Sequence, residues 1–237
     1  VIVWLASYPR SGNTLARIAL HRLYGVPTYV VYEKDGVAER IGSELMGARE
    51  RPTEVAAMQA APELYFVKTH RPREPGDETP SICLVRDGRD AAVSWARLRR
   101  KPGDPRESFA ADVRGQFTDG GGAGAGAWAT NVLSWLDPPV RHRVVVRYED
   151  LIADPLHAIR AAVRVVAPWL TPQANAEPPT FTELQRVDAG FFRRGIVGSH
   201  RDELDADLVG LFWEQPPNVA AMRLLTRTRH QPGRSDG

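Results

Sequence analysis

The stretch VIVWLASYPRSGNTLARIA, Val1 to Ala19, decides the fold. Its apolar run Val1-Ile2-Val3-Trp4-Leu5-Ala6 has no polar alternation, so it reads as a short strand covered on both faces. Ser7-Tyr8-Pro9-Arg10-Ser11-Gly12-Asn13 breaks the run, and from Thr14 the apolar residues Leu15, Ile18, Ala19 and Leu23 recur at helical spacing, with Arg17 and His21 on other faces. A strand feeding a helix through such a turn aims the unpaired N–H groups and positive dipole end of that helix at one point. An anion such as phosphate or sulfate suits that point. The stretch departs from the Gly-x-x-x-x-Gly-Lys-Ser/Thr pattern of nucleotide triphosphatases, because Ala6 or Ser7 stands near the first Gly position and Asn13 follows Gly12. That weakens a magnesium-nucleotide reading.

The same grammar repeats downstream. Leu64-Tyr65-Phe66-Val67 is a second buried strand ending in Lys68-Thr69-His70-Arg71-Pro72, and Ser81 to Val85 is a third, ending in Arg86-Asp87-Gly88-Arg89-Asp90 before a helix from Ala91 to about Arg100. Asp90 suits a helix cap. Arg86, with a planar fork of five donors at a strand's carboxyl end, suits bidentate anion recognition, and Ser94 one turn into the helix could face the same anion. Arg143 to Arg147 is a fourth strand closed by Tyr148-Glu149-Asp150-Leu151, and Pro155 opens an amphipathic helix through Val166.

Other segments carry less chemistry. Val26 to Tyr32 looks extended, and Val37 to Ala61 holds one or two amphipathic helical patterns suited to packing or to a substrate lid. Glu107 to Phe117 reads as helix, Gly120 to Ala127 as a mobile loop, and Trp128 to Trp135 as helix again. A short helix opens at Thr180-Phe181. Phe191 to Gly198, with two glycines and two adjacent arginines, reads as a loop; a helix over Asp202 to Trp213 and an apolar patch over Val219 to Leu225 follow. The expected architecture is a single α/β domain over residues 1–225, with a central, mostly parallel sheet flanked by helices. Residues 226–237 read as a basic, disordered tail.

Composition limits the function classes. The chain has 237 residues, enough for one substantial core, and a net charge of +2, too balanced for a nucleic-acid binder. Cys83 is the only cysteine, which fits a reducing, cytoplasmic setting. No stretch reaches membrane-spanning length and no signal peptide is visible, so no membrane partner is expected. No Cys and His pair stands at metal-ligand spacing, so no metal is expected.

Taken together, these segments resemble the 3'-phosphoadenosine-5'-phosphosulfate (PAPS)-dependent sulfotransferases, the soluble cytosolic type and its bacterial natural-product relatives. Ser7 to Thr14 is similar to the family's P-loop-like 5'-phosphosulfate loop, which implies donor contacts at Arg10, Ser11, Gly12, Asn13 and Thr14. Lys68-Thr69-His70 with Pro72 resembles the segment carrying the catalytic base. Arg86, Asp90 and Ser94 match the family's 3'-phosphate motif, and Tyr148-Glu149-Asp150 its Tyr-Glu-Asp segment, where the Tyr meets adenine. Thr180-Phe181 is similar to the Ser/Thr-Phe step whose Phe packs on adenine, and Arg193-Arg194-Gly195 with Gly198 resembles the loop that closes on the 3'-phosphate. Gly120 to Trp135 resembles a glycine-bearing pocket segment. Arg10 stands where the family usually has Lys, Leu15 where a Trp commonly stacks on adenine, and Ser199-His200 where Asp-Trp follows the last Gly.

The resemblance implies in-line sulfuryl transfer from PAPS to a hydroxyl or amine of a small-molecule or natural-product acceptor, leaving adenosine 3',5'-bisphosphate. It implies His70 as general base, with Arg10 and Lys68 stabilising the departing phosphate and Arg86, Ser94, Arg193 and Arg194 holding the 3'-phosphate. A P-loop kinase or other phosphotransferase would share the first strand and loop but needs a P-loop Lys followed by Ser/Thr and an acidic magnesium ligand. A non-catalytic nucleotide-binding protein would keep Arg86 and Ser94 and have no use for His70.

Overall fold

The computed structural model describes residues 1–101, 103–120 and 124–228. Five strands, β1 (Ile2–Ser7), β2 (Thr28–Val30), β3 (Tyr65–Thr69), β4 (Ser81–Val85) and β5 (Arg143–Arg147), form one sheet in the order β2-β3-β1-β4-β5. Every pairing is parallel, so the expectation of a mostly parallel sheet becomes a wholly parallel one. The helices are α1 (Asn13–Tyr24), α2 (Gly36–Ile41), α3 (Val55–Ala60), α4 (Gly88–Arg99), α5 (Arg106–Thr118), α6 (Trp128–Leu136), α7 (Tyr148–Ala153), α8 (Pro155–Val166), α9 (Phe181–Asp188), α10 (Ala206–Glu214) and α11 (Pro216–Thr228).

The unbroken apolar run of β1 follows from two covered faces. Val3 and Leu5 pack with Ala16, Leu20 and Leu23 of α1 and Ile159 and Val163 of α8; Ile2, Trp4 and Ala6 pack with Met58 and Trp135 on the other side. The first row continues through Phe66 of β3, Ile82 and Leu84 of β4 and Val146 of β5. Because side chains alternate with a period of two, the row runs on to Ser7 and Lys68 at the carboxyl ends of β1 and β3 and to His70, Arg86 and Tyr148 just past the strand ends. The sheet order reverses at β1, and such a switch point is where parallel sheets place ligands, outside the carboxyl ends of the strands.

Several expectations shift. Arg17, placed by its spacing off the apolar face of the first helix, is fully buried, because Asp35 meets it at 2.7 Å and Thr28 accepts from its Nε at 2.9 Å. Asp90 does not cap α4; that helix starts earlier, with Asp87 accepting from the Arg89 N–H at 2.9 Å. The expected helix from Asp202 divides into a 3-10 turn over Ser199–Asp202 and α10, which Asp205 caps through the Leu208 N–H. Residues 226–228 of the expected tail belong to α11; the rest of the tail, and residues 121–123 of the glycine-rich loop, lie outside the described residues. Among the described residues no helix is long and apolar enough to cross a membrane.

Candidate active site

A cavity of about 420 Å³ opens at the carboxyl ends of β1, β3 and β4 and is bounded by α1, α4, α9 and the loop after Phe191. The β1–α1 turn makes its floor. Arg10 sits in the left-handed region with φ +66°, a conformation that costs a non-glycine residue about 1–2 kcal/mol and is held here by Arg86 donating to the Arg10 carbonyl at 3.0 Å. Gly12 follows at φ +98°, where a Cβ would stand 2.8 Å from Leu151 Cδ2 and 3.2 Å from Tyr148 Cδ2. No side chain caps α1, so its first-turn N–H groups face the cavity beside Thr14. Asn13 contributes backbone only, because its side-chain amide donates to Leu5 O and Ser7 Oγ and closes the turn from behind. Ser11 is buried and its hydroxyl makes no hydrogen bond among the described residues.

Two guanidinium groups, that of buried Arg86 and that of half-buried Arg10, lie over this turn without a carboxylate hydrogen-bonded to either among the described residues. Arg10 donates from Nε to Ser94 Oγ at 3.1 Å and from Nη2 to Phe191 O at 2.6 Å, with the Phe191 ring 4.3 Å away. Burial, then the neighbouring Arg86 charge, lowers its pKa to about 10. Arg86 lies 3.9 Å over the Tyr148 ring, donates from Nη2 to Ile196 O at 3.1 Å, and leaves Nε unpaired. Aromatic faces and carbonyls compensate these charges only partly, which leaves a strong attraction for an anion.

His70 is fixed from several sides. Its N–H donates to Tyr32 Oη at 2.8 Å, its carbonyl accepts from Asn131 Nδ2 at 2.7 Å, and its Nδ1 stands 2.8 Å from Ser7 O. A carbonyl only accepts, and Ser7 O is nearer to Nδ1 than the Ser7 hydroxyl, which lies at 3.2 Å, so Nδ1 carries the proton and Nε2 keeps its lone pair. Burial, then the Lys68 charge, drives the His70 pKa down to about 3, so the ring is neutral at ordinary pH. Asn131 also holds Ala125 O at 3.1 Å, which ties the described end of the glycine-rich loop to the same histidine. Lys68, two residues back on the same face of β3, is buried 3.9 Å from Asp35, and burial holds its pKa at about 8.

The far wall is built by the chain's last third. Phe181 is 40% exposed and lines the cavity, and Gly195 lies so close that a Cβ there would come 2.6 Å from Phe181 Cε2. Arg193 and Arg194 also line the cavity, yet both are engaged: Arg193 meets Glu203 at 2.6 Å, and Arg194 meets Asp202 at 3.0 Å and Glu203 at 3.3 Å. Asp90 docks the loop that carries them, accepting from Gly198 N at 2.7 Å, Ser199 Oγ at 3.3 Å, His200 N at 2.9 Å and His200 Nδ1 at 2.7 Å. Burial alone would raise the Asp90 pKa; the bonds from His200 and Gly198 outweigh it and hold the group near 2. Arg10, Gly12, Asn13, Thr14, Lys68, His70, Arg86, Ser94, Tyr148, Phe181, Arg193, Arg194 and Gly195 line this one cavity, where Arg10 and Arg86 are neighbours, whereas Ser11, Asp90, Gly198 and the described part of the Gly120 to Trp135 segment are not in its wall.

The sulfotransferase domain family matches residues 2–167. The chain belongs to that family. No curated protein sequence matches it. Among solved structures it is similar to mouse sulfotransferase SULT7A1 complexed with PAP, with TM-score 0.66 and 19% identity over 95% of this chain and 88% of that one. It is also similar to retinol dehydratase in complex with androsterone and inactive cofactor PAP, with TM-score 0.58 and 17% identity over 97% of this chain and 81% of that one. Family membership replaces the phosphotransferase reading. The site of this sulfotransferase also contains groups that sequence reading passed over: Ser7, Tyr32, Asp35, Asn131, Phe191 and Glu203. Only Asp35 had a local signal, as a capping residue type just ahead of the helical pattern that begins at Val37; the others act through partners remote in the chain.

Proposed function

We propose that this enzyme moves the sulfuryl group of PAPS to a hydroxyl or amine of a small-molecule acceptor, with His70 as general base. The observation that carries the reading is the place of His70: it lines the cavity together with Lys68, Arg10 and the start of α1, and its Nδ1 lies 2.8 Å from the Ser7 carbonyl, which leaves Nε2 to accept a proton. The acceptor O–H or N–H gives its proton to Nε2 as the new bond to sulfur forms. The sulfur–oxygen bond to the 5'-phosphate breaks, its electron pair stays on the phosphate, and adenosine 3',5'-bisphosphate leaves. Charge building on that phosphate meets Arg10, Lys68 and the N–H groups of the turn, which are aimed before the reaction starts. The low basicity of His70 reflects burial and a cationic neighbour; an anionic phosphosulfate placed beside it favours the protonated ring, so basicity rises when the donor arrives.

Arg86 and Ser94, with Arg193 and Arg194, hold the 3'-phosphate in this reading, and Phe181 and Tyr148 border the adenine. The two arginines of the closing loop then exchange part of their contact with Glu203 for phosphate oxygens. The relatives fit the assignment, since both structures named above hold PAP and one holds the small molecule androsterone. The test is His70→Ala: calorimetry should find adenosine 3',5'-bisphosphate binding retained, while transfer from labelled PAPS across an acceptor panel falls about 10²–10⁴-fold. Unchanged transfer removes His70 as the base.

A further inference from the structure

Behind the reacting end of the cavity three charges are packed in the interior. Arg17 of α1 is fully buried and donates from Nε to Thr28 Oγ1 at 2.9 Å, and that hydroxyl donates in turn to Met46 O. Its Nη2 lies 2.7 Å from Asp35 Oδ2. The other carboxylate oxygen of Asp35 lies 3.9 Å from Lys68 Nζ and accepts from the Val37 and Ala38 N–H groups at 3.3 and 3.4 Å, which starts α2. One carboxylate thus serves two buried cations and leaves the cluster with one excess positive charge, on the side where Lys68 lines the cavity.

We propose that Asp35 is a positioning residue for sulfuryl transfer, keeping the Lys68 ammonium charged and aimed at the leaving phosphate. The proposal rests on the reading of Lys68 given above. Lys68 has little else to keep it charged: burial opposes the ammonium, and the groups facing it are Arg17 from α1, Arg10 from the β1–α1 turn and His70 just past the end of β3, none of them negative. Asp35 is the one carboxylate that acts on it among the described residues. The 3.9 Å separation is an ion-pair distance rather than a hydrogen bond, so Asp35 supplies charge without taking an ammonium N–H away from the cavity. A second consequence is mechanical. α2 carries Val37 into the cavity wall and is tied at its start to Lys68 through Asp35 and at its end to α9 through Arg40 and Asp188, 2.6 Å apart. The segment read from sequence as packing or lid, from Val37, is thus started by the carboxylate that acts on Lys68.

Two measurements on the full chain test this. Competitive acetylation with acetic anhydride from pH 6 to 11, read at Lys68 by peptide mass spectrometry without donor, gives the titration midpoint of that one ammonium. It should lie near 8 in the wild type, fall by at least about 1 pH unit in Asp35→Asn, and stay near 8 in Asp35→Glu. Asn caps a helix as well as Asp, so a carboxylate that merely started α2 would leave the midpoint unmoved, which overturns the proposal. Because Asp35→Asn strands the buried Arg17, the pair Arg17→Met and Arg17→Met/Asp35→Asn repeats the comparison with no stranded guanidinium, and the midpoint should fall by a similar amount. The alkaline limb of kcat/KM for PAPS, which reports the unliganded enzyme, should move with the acetylation midpoint and cost Asp35→Asn about fivefold or more at pH 8. A shifted midpoint with an unshifted kcat/KM profile also overturns the proposal. Absence of any transfer from PAPS by the wild type overturns the reading of the reaction instead, and leaves the measured Asp35–Lys68 coupling standing.

Discussion

Replacing Asp90 with Asn should undock the loop that completes the cavity. Asp90 is 1% exposed, and its carboxylate accepts from two backbone N–H groups, the Ser199 hydroxyl and the His200 ring. An amide keeps one accepting oxygen and turns its NH2 toward groups that are themselves donors. Hydrogen bonds to a charged acceptor contribute about 1.5–3 kcal/mol each, and breaking a buried pair costs about 3–5 kcal/mol, so a loss near the lower bound, about 3 kcal/mol, is expected. At about 1.4 kcal/mol per decade that moves the docked-to-undocked ratio of the loop by roughly a hundredfold. Arg193, Arg194, Gly195 and Ser199 would then leave the cavity wall. Isothermal titration with adenosine 3',5'-bisphosphate should give a Kd about ten- to a hundredfold weaker, and thermal unfolding a Tm about 6–12 °C lower. Asp87→Asn is the control: three residues away, it caps α4 and pairs with Arg89 at 2.6 Å, and Asn caps as well as Asp, so both readouts should stay near wild type. Wild-type Kd and Tm in Asp90→Asn, or equal losses in both variants, would refute the reasoning.

Three other expectations follow from single positions. Gly12→Ala should weaken both fold and site, since φ +98° and a Cβ 2.8 Å from Leu151 Cδ2 leave no relaxed alternative; urea unfolding should lose about 1–3 kcal/mol, and calorimetry should find adenosine 3',5'-bisphosphate binding reduced about tenfold or more. Gly195→Ala should act on both binding and stability: at φ +59°, with Phe181 Cε2 2.6 Å from the new methyl, it strains the loop and displaces a half-exposed ring, raising the Kd about tenfold and lowering Tm by about 2–8 °C. His70, with a native pKa near 3 and an ordinary value of 6.5, takes up its proton in the unfolded chain first. Stability should therefore drop as pH falls from about 6.5 toward 3, with a slope of up to about 1.4 kcal/mol per pH unit from this one group, and His70→Gln should flatten the slope measured by urea midpoints between pH 7 and 5.

Much of this architecture is written in residue periods. The run Ile2–Ser7 has no polar alternation because both its faces are covered, and the Lys68-Thr69-His70 spacing turns Lys68 and His70 to one side at the carboxyl end of β3. The step of eight residues from Arg86 to Ser94 crosses from a strand end to the second turn of α4, and both meet Arg10. Those relations are local, set by a period of two in strands and near four in helices, so the chain alone determined the α/β architecture, and the family resemblance added about half of the residues that line the cavity. Charge pairing is different, because it joins side chains that no period relates. Arg17 looked like a surface residue until β2 and the start of α2 delivered Thr28 and Asp35 to it. Asp90 looked like a cap until the chain returned, more than a hundred residues later, with His200. Arg193 and Arg194, which the resemblance assigned to the 3'-phosphate, gained a second partner when Glu203 was folded between them. A buried charge is stable only beside its partner, and which partner arrives is decided by how the layers close; the tertiary structure alone determined the charge state of this site.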